Sequence, residues 1–113
     1  MEKSKESFFD NVLEVAALIP KGKITTYGAI AAYLSTPKSA RMVGWALNTQ
    51  KNKGTVPAHR VVNRTGNLTG KLHFSTPNEM ELLLNSEGIE TSKGQIVEME
   101  RYFWDPAIAL KMD

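Results

Sequence analysis

The 113-residue chain contains no cysteine. Disulfides, thiolate-bound zinc and a cysteine nucleophile are therefore excluded. Histidine is scarce: His59 and His73 are the two present, and they share no metal-ligand spacing. No metal ion and no cofactor are expected. Long apolar runs are missing as well. Met1-Glu2-Lys3-Ser4-Lys5-Glu6 leads into an apolar pattern interrupted by Asp10 and Glu14, which is neither a signal peptide nor a membrane span. The expectation is a soluble, cytoplasmic monomer with no membrane partner. The most informative shortage is local. No acidic residue falls between Glu14 and Glu79, while Lys21, Lys23, Lys38, Arg41, Lys51, Lys53, Arg60, Arg64 and Lys71 all do. The formal net charge is only +2, yet a middle segment of one sign sets up a positive field suited to a phosphate backbone or another anionic ligand.

The apolar spacing predicts a mainly α fold with short β elements, one domain over residues 1–113, containing a helix-turn-helix. Phe8, Val12, Val15 and Ile19 recur at helical intervals, which predicts a first helix over about 5–18, ended by Pro20 and Gly22. Ile24 to Thr26 reads as an extended link. Thr26 is a candidate N-cap for a second helix over 27–34. Ser35-Thr36-Pro37-Lys38 reads as a turn, and Ser39 as the N-cap of a third helix over 40–47. Pro57 to Val62 is a compact, partly apolar segment, and 63–67 carries turn chemistry. Thr76-Pro77-Asn78-Glu79 has the form of a capping box opening a fourth helix that stops near Gly88. Gln95 to Met99 alternates as a short strand does, and Tyr102, Phe103 and Trp104 are expected to pack as an aromatic part of the core.

Four motifs in order carry a family resemblance over about residues 8–106. The run from Ile19 to Gly28, reading Ile-Pro-Lys-Gly-Lys-Ile-Thr-Thr-Tyr-Gly, resembles the start of the DNA-binding domain of alkylguanine-DNA alkyltransferases. Ser39-Ala40-Arg41-Met42-Val43-Gly44 resembles that family's recognition helix. Pro57-Ala58-His59-Arg60-Val61-Val62 resembles its active-site motif, Pro-Cys-His-Arg-Val, and Ser86-Glu87-Gly88-Ile89 its Glu-Gly motif. Ala58 stands where the family has its reactive cysteine, as is typical of the alkyltransferase-like proteins. That resemblance implies binding of double-stranded DNA carrying alkylated guanine, without repair, and delivery of the lesion to nucleotide excision repair proteins.

The chemistry agrees with that implication. Dealkylation of the guanine 6-oxygen needs a thiolate nucleophile and a base to generate it. Alanine offers a methyl group and no lone pair, so no catalytic residue is expected and the chain is read as a non-enzyme. His59 and Glu87 match the family's base and its orienting carboxylate, a relay with nothing to activate, left to hold a pocket wall. The lost sulfur leaves room for a bulkier alkyl group if the neighbours do not collapse. Reading the lesion requires flipping its nucleotide out of the stack, which costs a few kcal/mol. By resemblance, Tyr27 helps rotate the nucleotide and Arg41 fills the gap, with a planar guanidinium that both stacks and hydrogen-bonds. Ala40 and Gly44 permit close approach of the helix to the minor groove, and Thr69 and Lys71 contact phosphate or base. The implied lesion pocket is Tyr27, Pro57, Ala58, Val61 and Asn67, closed over by a loop to which Thr65, Gly66 and Asn67 give backbone freedom. The segment 50–55, where the family has a hinge asparagine, departs from the usual pattern. Trp45 also departs, since the family often has a small residue there. Two placements stay open, inward against the core or outward toward DNA, and the second would put the inferred docking in question.

Two other readings stand beside lesion recognition. A helix-turn-helix transcription regulator would need base-edge readout in the major groove, for which Ala40 and Gly44 are poor. An enzyme with another nucleophile would have to use Thr65 or Tyr27, and nothing in the sequence activates either.

Overall fold

A computed structural model describes residues 5–34, 39–49, 56–74, 76 and 78–111. The expected turn at 35–38 and the divergent segment 50–55 lie outside these residues. Helix α1 (Lys5–Ala17) buries Val12, Val15 and Ala16, and the apolar stripe continues to a buried Ile19. Gly22 then reverses the chain at φ +85°. Strand β1 (Thr25–Thr26) follows and leads directly into helix α2 (Tyr27–Tyr33). Thr26 caps that helix as expected: its backbone is extended, and its hydroxyl accepts from the Ala29 N–H at 2.9 Å. Helix α3 (Ala40–Thr49) runs two residues further than the sequence predicts and packs across both α1 and α2.

A 3-10 turn, Ala58–Arg60, feeds strand β2 (Val61–Val62), which pairs in parallel with β1, Thr25 against Val61 and Thr26 against Val62. Successive strand residues point to opposite sides. Val61 accordingly joins the core formed with α1, α2 and α3, whereas Val62 joins a second core with Ile24, Leu68, Met80, Leu84, Ile89, Ile96 and Tyr102. The short parallel pair thus sits between two apolar clusters, and the Ala58–Arg60 turn is anchored at their junction. The second core is completed by a 3-10 turn, Thr69–His73, by helix α4 (Glu79–Ser86), and by the hairpin of β3 (Thr91–Ser92) and β4 (Gln95–Ile96). Lys93 and Gly94 both take positive φ in its two-residue turn, the conformation that matches strand twist. Helices α5 (Met99–Tyr102) and α6 (Pro106–Ala109) close the described chain.

Three local expectations are corrected. The N-terminus of α4 is shifted from the expected capping box: Asn78 is the N-cap and makes no side-chain cap bond, and the Thr76 hydroxyl bonds the Asn78 side chain at 3.2 Å. Thr76 contributes its carbonyl, which accepts from Glu79 N–H at 3.2 Å. The strand expected over 95–99 stops at Ile96, because Glu98 adopts φ 56° and turns the chain into α5. The aromatic trio splits. Ile24 bonds the backbone on either side of Phe103, from Ile24 N–H to Tyr102 O at 3.0 Å and from Trp104 N–H to Ile24 O at 2.7 Å. In that extended segment Tyr102 is buried and Trp104 packs on the first core, but Phe103 turns outward and is 38% exposed.

No helix among the described residues is long and apolar enough to cross a membrane. No cluster of three or more potential metal ligands occurs among them either.

Candidate nucleic-acid interface

The start of α2 is fixed by the β1–β2 pair behind it and the Thr26 cap in front of it, and this fixes Tyr27. The Tyr27 side chain packs against the first core. Its ring lies over Gly44 of α3, where an added β-carbon would meet the ring carbons Cε1 and Cδ1 at 3.8 and 3.9 Å. Its hydroxyl is hydrogen-bonded to Thr69 and lies 3.1 Å from the point a β-carbon on Gly70 would occupy. Burial pushes the phenol pKa above its ordinary 10, with the Thr69 bond partly opposing, so the hydroxyl stays a neutral donor and acceptor. Tyr27 therefore bridges α2, α3 and the Thr69–His73 turn.

Helix α3 divides cleanly. Val43, Ala46 and Leu47 are buried, while Arg41, Trp45 and Asn48 are exposed and Ala40 and Gly44 are half-buried. Trp45 is not packed inward: it is 49% exposed, on the same face as Arg41 one helical turn before it. The inward placement is thereby corrected. The core-facing arc of α3 is already filled by three smaller apolar residues.

Around Ala58 the second feature takes shape. Pro57 and Ala58 are half-buried, and Ala58 packs on the first core. His59, beside it, is largely buried, and its Nε2 lies 2.9 Å from Glu87 Oε2. A carboxylate only accepts, so Nε2 carries the proton in that bond. Arg60 donates to the same carboxylate twice, Nε to Oε1 at 2.9 Å and Nη2 to Oε2 at 2.6 Å, and its Nη1 reaches the Ile19 carbonyl at 2.7 Å. The Gly22 N–H approaches Glu87 Oε1 at 3.4 Å. Burial alone would raise the Glu87 pKa. The hydrogen bonds from Arg60 and His59, the charge of His59 and the Gly22 N–H outweigh it and hold the carboxyl at about 2. One carboxylate at the end of α4 thus ties the 58–60 turn to the loop after α1.

The remaining residues assigned from the sequence lie elsewhere. Val61 is wholly buried in the first core, so it backs the wall beyond Ala58 and does not line an open pocket. Asn67 is held within its own turn: Asn63 Oδ1 accepts from the N–H groups of Thr65 and Asn67 and from the Thr65 hydroxyl, and Asn67 Nδ2 donates to Thr65 Oγ1 at 2.9 Å. A bridge to Gln95 and the bond from Gln95 Nε2 to Thr65 O at 2.7 Å tie this turn to the β3–β4 hairpin. The turn is organised by these Asx bonds, with Gly66 at φ +84°. Thr69 and Lys71 are exposed on their 3-10 turn, and the Lys71 amine leans toward Gly94, 3.9 Å from where a β-carbon would stand. A groove of about 770 Å³ between Thr26, Arg64, Glu98, Met99, Glu100 and Phe103 includes none of the residues assigned to the lesion pocket.

Sequence reasoning missed the role of Arg60, counted there among the free cations. Its place in the Pro57–Val62 motif was the available signal. With Arg60 neutralised by Glu87, the exposed cations among the described residues of the acid-free segment are Lys21, Lys23, Arg41, Arg64 and Lys71.

The family model described as 6-O-methylguanine DNA methyltransferase, DNA binding domain, matches residues 7–89. A DNA base-flipping protein of Escherichia coli is 38% identical over 107 residues, covering 93% of this chain and 79% of that protein. Alkyltransferase-like protein 1 of Schizosaccharomyces pombe is 33% identical over 105 residues, covering 89% of this chain and 97% of that protein. The crystal structure of S. pombe Atl1 in complex with damaged DNA containing O6-carboxymethylguanine matches with a TM-score of 0.77 at 34% identity, over 94% of this chain and 100% of that one. The chain belongs to the 6-O-methylguanine DNA methyltransferase family, by its DNA-binding domain, and carries Ala58 and no cysteine.

Proposed function

We propose that this protein recognises alkylated guanine in duplex DNA by flipping the nucleotide, and that it does so without removing the alkyl group. The observation that carries the reading is Ala58. It heads the 58–60 turn beside a His59–Glu87 pair bonded at 2.9 Å, so the parts that would activate a nucleophile are together and the nucleophile is an inert methyl group. The exposed cations of the acid-free segment suit a polyanion, and the names of the two relatives support flipping and alkyl recognition.

In this reading α3 lies along the DNA with Ala40 and Gly44 allowing close approach in the minor groove, the outward Trp45 stands beside that contact, about 100° round the helix from Gly44, and Arg41 takes the place of the flipped base. Tyr27 assists rotation. Thr69 and Lys71 hold backbone or base. Pro57 and Ala58 contribute to the pocket, while Val61 supports it from the core. His59 and Glu87 serve as scaffold. Without chemistry to complete, the bound complex itself is the output, and transfer of the lesion to nucleotide excision repair proteins is the consequence that fits.

The test is a binding titration on one duplex with and without 6-O-methylguanine, followed by intact-mass measurement of the recovered protein. Tighter binding to the alkylated duplex and an unchanged protein mass are expected. Equal affinity would refute lesion recognition, and a mass gain of one methyl group would refute the absence of transfer.

A further inference from the structure

Trp45 is a large apolar side chain left 49% exposed on α3. On a helix, successive residues are rotated by about 100°, which sets Trp45 about 40° from Arg41 and Asn48 about 20° on its other side. The three form one exposed stripe along α3. Next to that stripe Gly44 contributes no side chain, and the Tyr27 ring lies against it. The stripe is thus a shallow feature with a flat indole and a guanidinium standing at its edge.

The other exposed large apolar residues are Leu18, Leu82, Phe103 and Ile108, and none of them shares a helix face with Arg41. No acidic residue occurs between Val15 and Asn78, so the segment that carries Trp45 brings cations and no carboxylate to its surface, which favours an anion over an ordinary protein surface. An indole beside a cation in an acid-free segment fits an occupant that offers charge and flat apolar edges together. Duplex DNA does so, through its phosphates and through its sugar and base edges.

We propose that Trp45 is a DNA-contacting residue of α3, supplying the apolar and salt-independent part of duplex binding beside the charged contacts. This rests on the DNA-binding reading above. Phosphate contacts release counterions, so their loss flattens the dependence of affinity on salt. An apolar contact releases none. Its loss lowers affinity by a similar factor at every salt concentration. Because Trp45 lies beside the gap-filling residue and not in the pocket, that factor is the same for plain and alkylated duplexes.

The test uses the full chain. Trp45→Ala is expected to weaken binding to both duplexes by about tenfold, the scale of one aromatic contact with nucleic acid, with an unchanged slope of log affinity against log salt. Trp45 is exposed, so folding is not at issue. Fluorescence gives a second reading. The chain has two tryptophans, and Trp104 is partly buried against the first core. A DNA-dependent change in emission is expected for the wild type and is expected to vanish in Trp45→Phe, which keeps Trp104 as its only indole. Unchanged affinity together with unchanged emission in a chain that still prefers alkylated DNA would overturn the proposal and leave the functional reading standing. A wild-type chain with no affinity for duplex DNA would overturn the functional reading itself. A Trp45-dependent dimer, detected by sedimentation without DNA, would make the stripe a self-association surface and also overturn the proposal.

Discussion

The Tyr27 ring rests over Gly44 at a distance that leaves room for one more carbon: a β-carbon on Gly44 would touch the ring at 3.8 Å, an ordinary van der Waals contact. Gly44→Ala is therefore compatible with the fold. In a helix interior it should stabilise by about 1 kcal/mol, which in a domain of this size raises the melting midpoint by roughly 4–8 °C. The same methyl group intrudes where α3 is proposed to meet DNA. Melting curves and duplex titrations should thus move in opposite directions, higher midpoint and weaker binding. Stabilisation with unaltered affinity would place Gly44 away from the interface.

On the other side of Tyr27 the space is tighter. A β-carbon on Gly70 would stand 3.1 Å from the phenol oxygen, closer than most real contacts, and Gly44 backs the ring from behind. Gly70→Ala should displace the hydroxyl and disturb its bond to Thr69. Preference for alkylated over plain duplex should fall while binding to plain duplex is kept. Tyr27→Phe retains the ring and should cost less than Tyr27→Ala. Equal effects of Gly70→Ala on both duplexes would argue against a role for Tyr27 in flipping.

Glu87 gives the fold an acid sensitivity of predictable sign. Its carboxyl titrates at about 2 in the folded chain against an ordinary 4.5. A depressed carboxyl contributes its stability above the ordinary value, and loses it as pH falls from 4.5 through about 2. The shift corresponds to about 3 kcal/mol at neutral pH. Glu87→Gln removes the charge and should be less stable than the wild type by that order in urea denaturation at pH 7. The gap should shrink to under half by pH 3. A gap independent of pH would mean that the loss is one of packing and not of charge.

The parts of this architecture that were legible in sequence are those decided locally. The helical recurrence of Phe8, Val12, Val15 and Ile19 reports which side of α1 meets the core, and the Thr26 cap depends only on the residues after it. The pocket wall was less legible. Val61 and Val62 are equivalent by composition, and only pairing with Thr25 and Thr26 decides which core each enters. Arg60 looks like any other cation until the fold brings it to Glu87, 27 residues away. Trp45 could be placed only once Val43, Ala46 and Leu47 were seen to fill the inner arc of α3. The bonds that the Asn63 side chain makes across the 63–67 turn were not legible in sequence either.

Arg41 separates discrimination from affinity. It is exposed near the start of α3 and makes no ion pair among the described residues, so the fold does not need it. A phosphate contact at that position would lose one charge on mutation and weaken both duplexes alike, with a flatter salt dependence. A group that fills the vacated stack acts differently. It is engaged only when the nucleotide is out, and flipping is favoured where the lesion has already weakened pairing. Arg41→Ala should therefore cost more on alkylated than on plain DNA, by about 1–3 kcal/mol, the scale of a stacking contact. Arg41→Lys keeps the charge but not the planar, stacking fork, and should recover plain-duplex binding without restoring the preference. The measurement is a set of titrations of wild type, Arg41→Ala and Arg41→Lys on matched duplexes at one salt concentration. If Arg41→Lys restored the preference in full, charge alone would account for Arg41 and another residue would have to fill the gap.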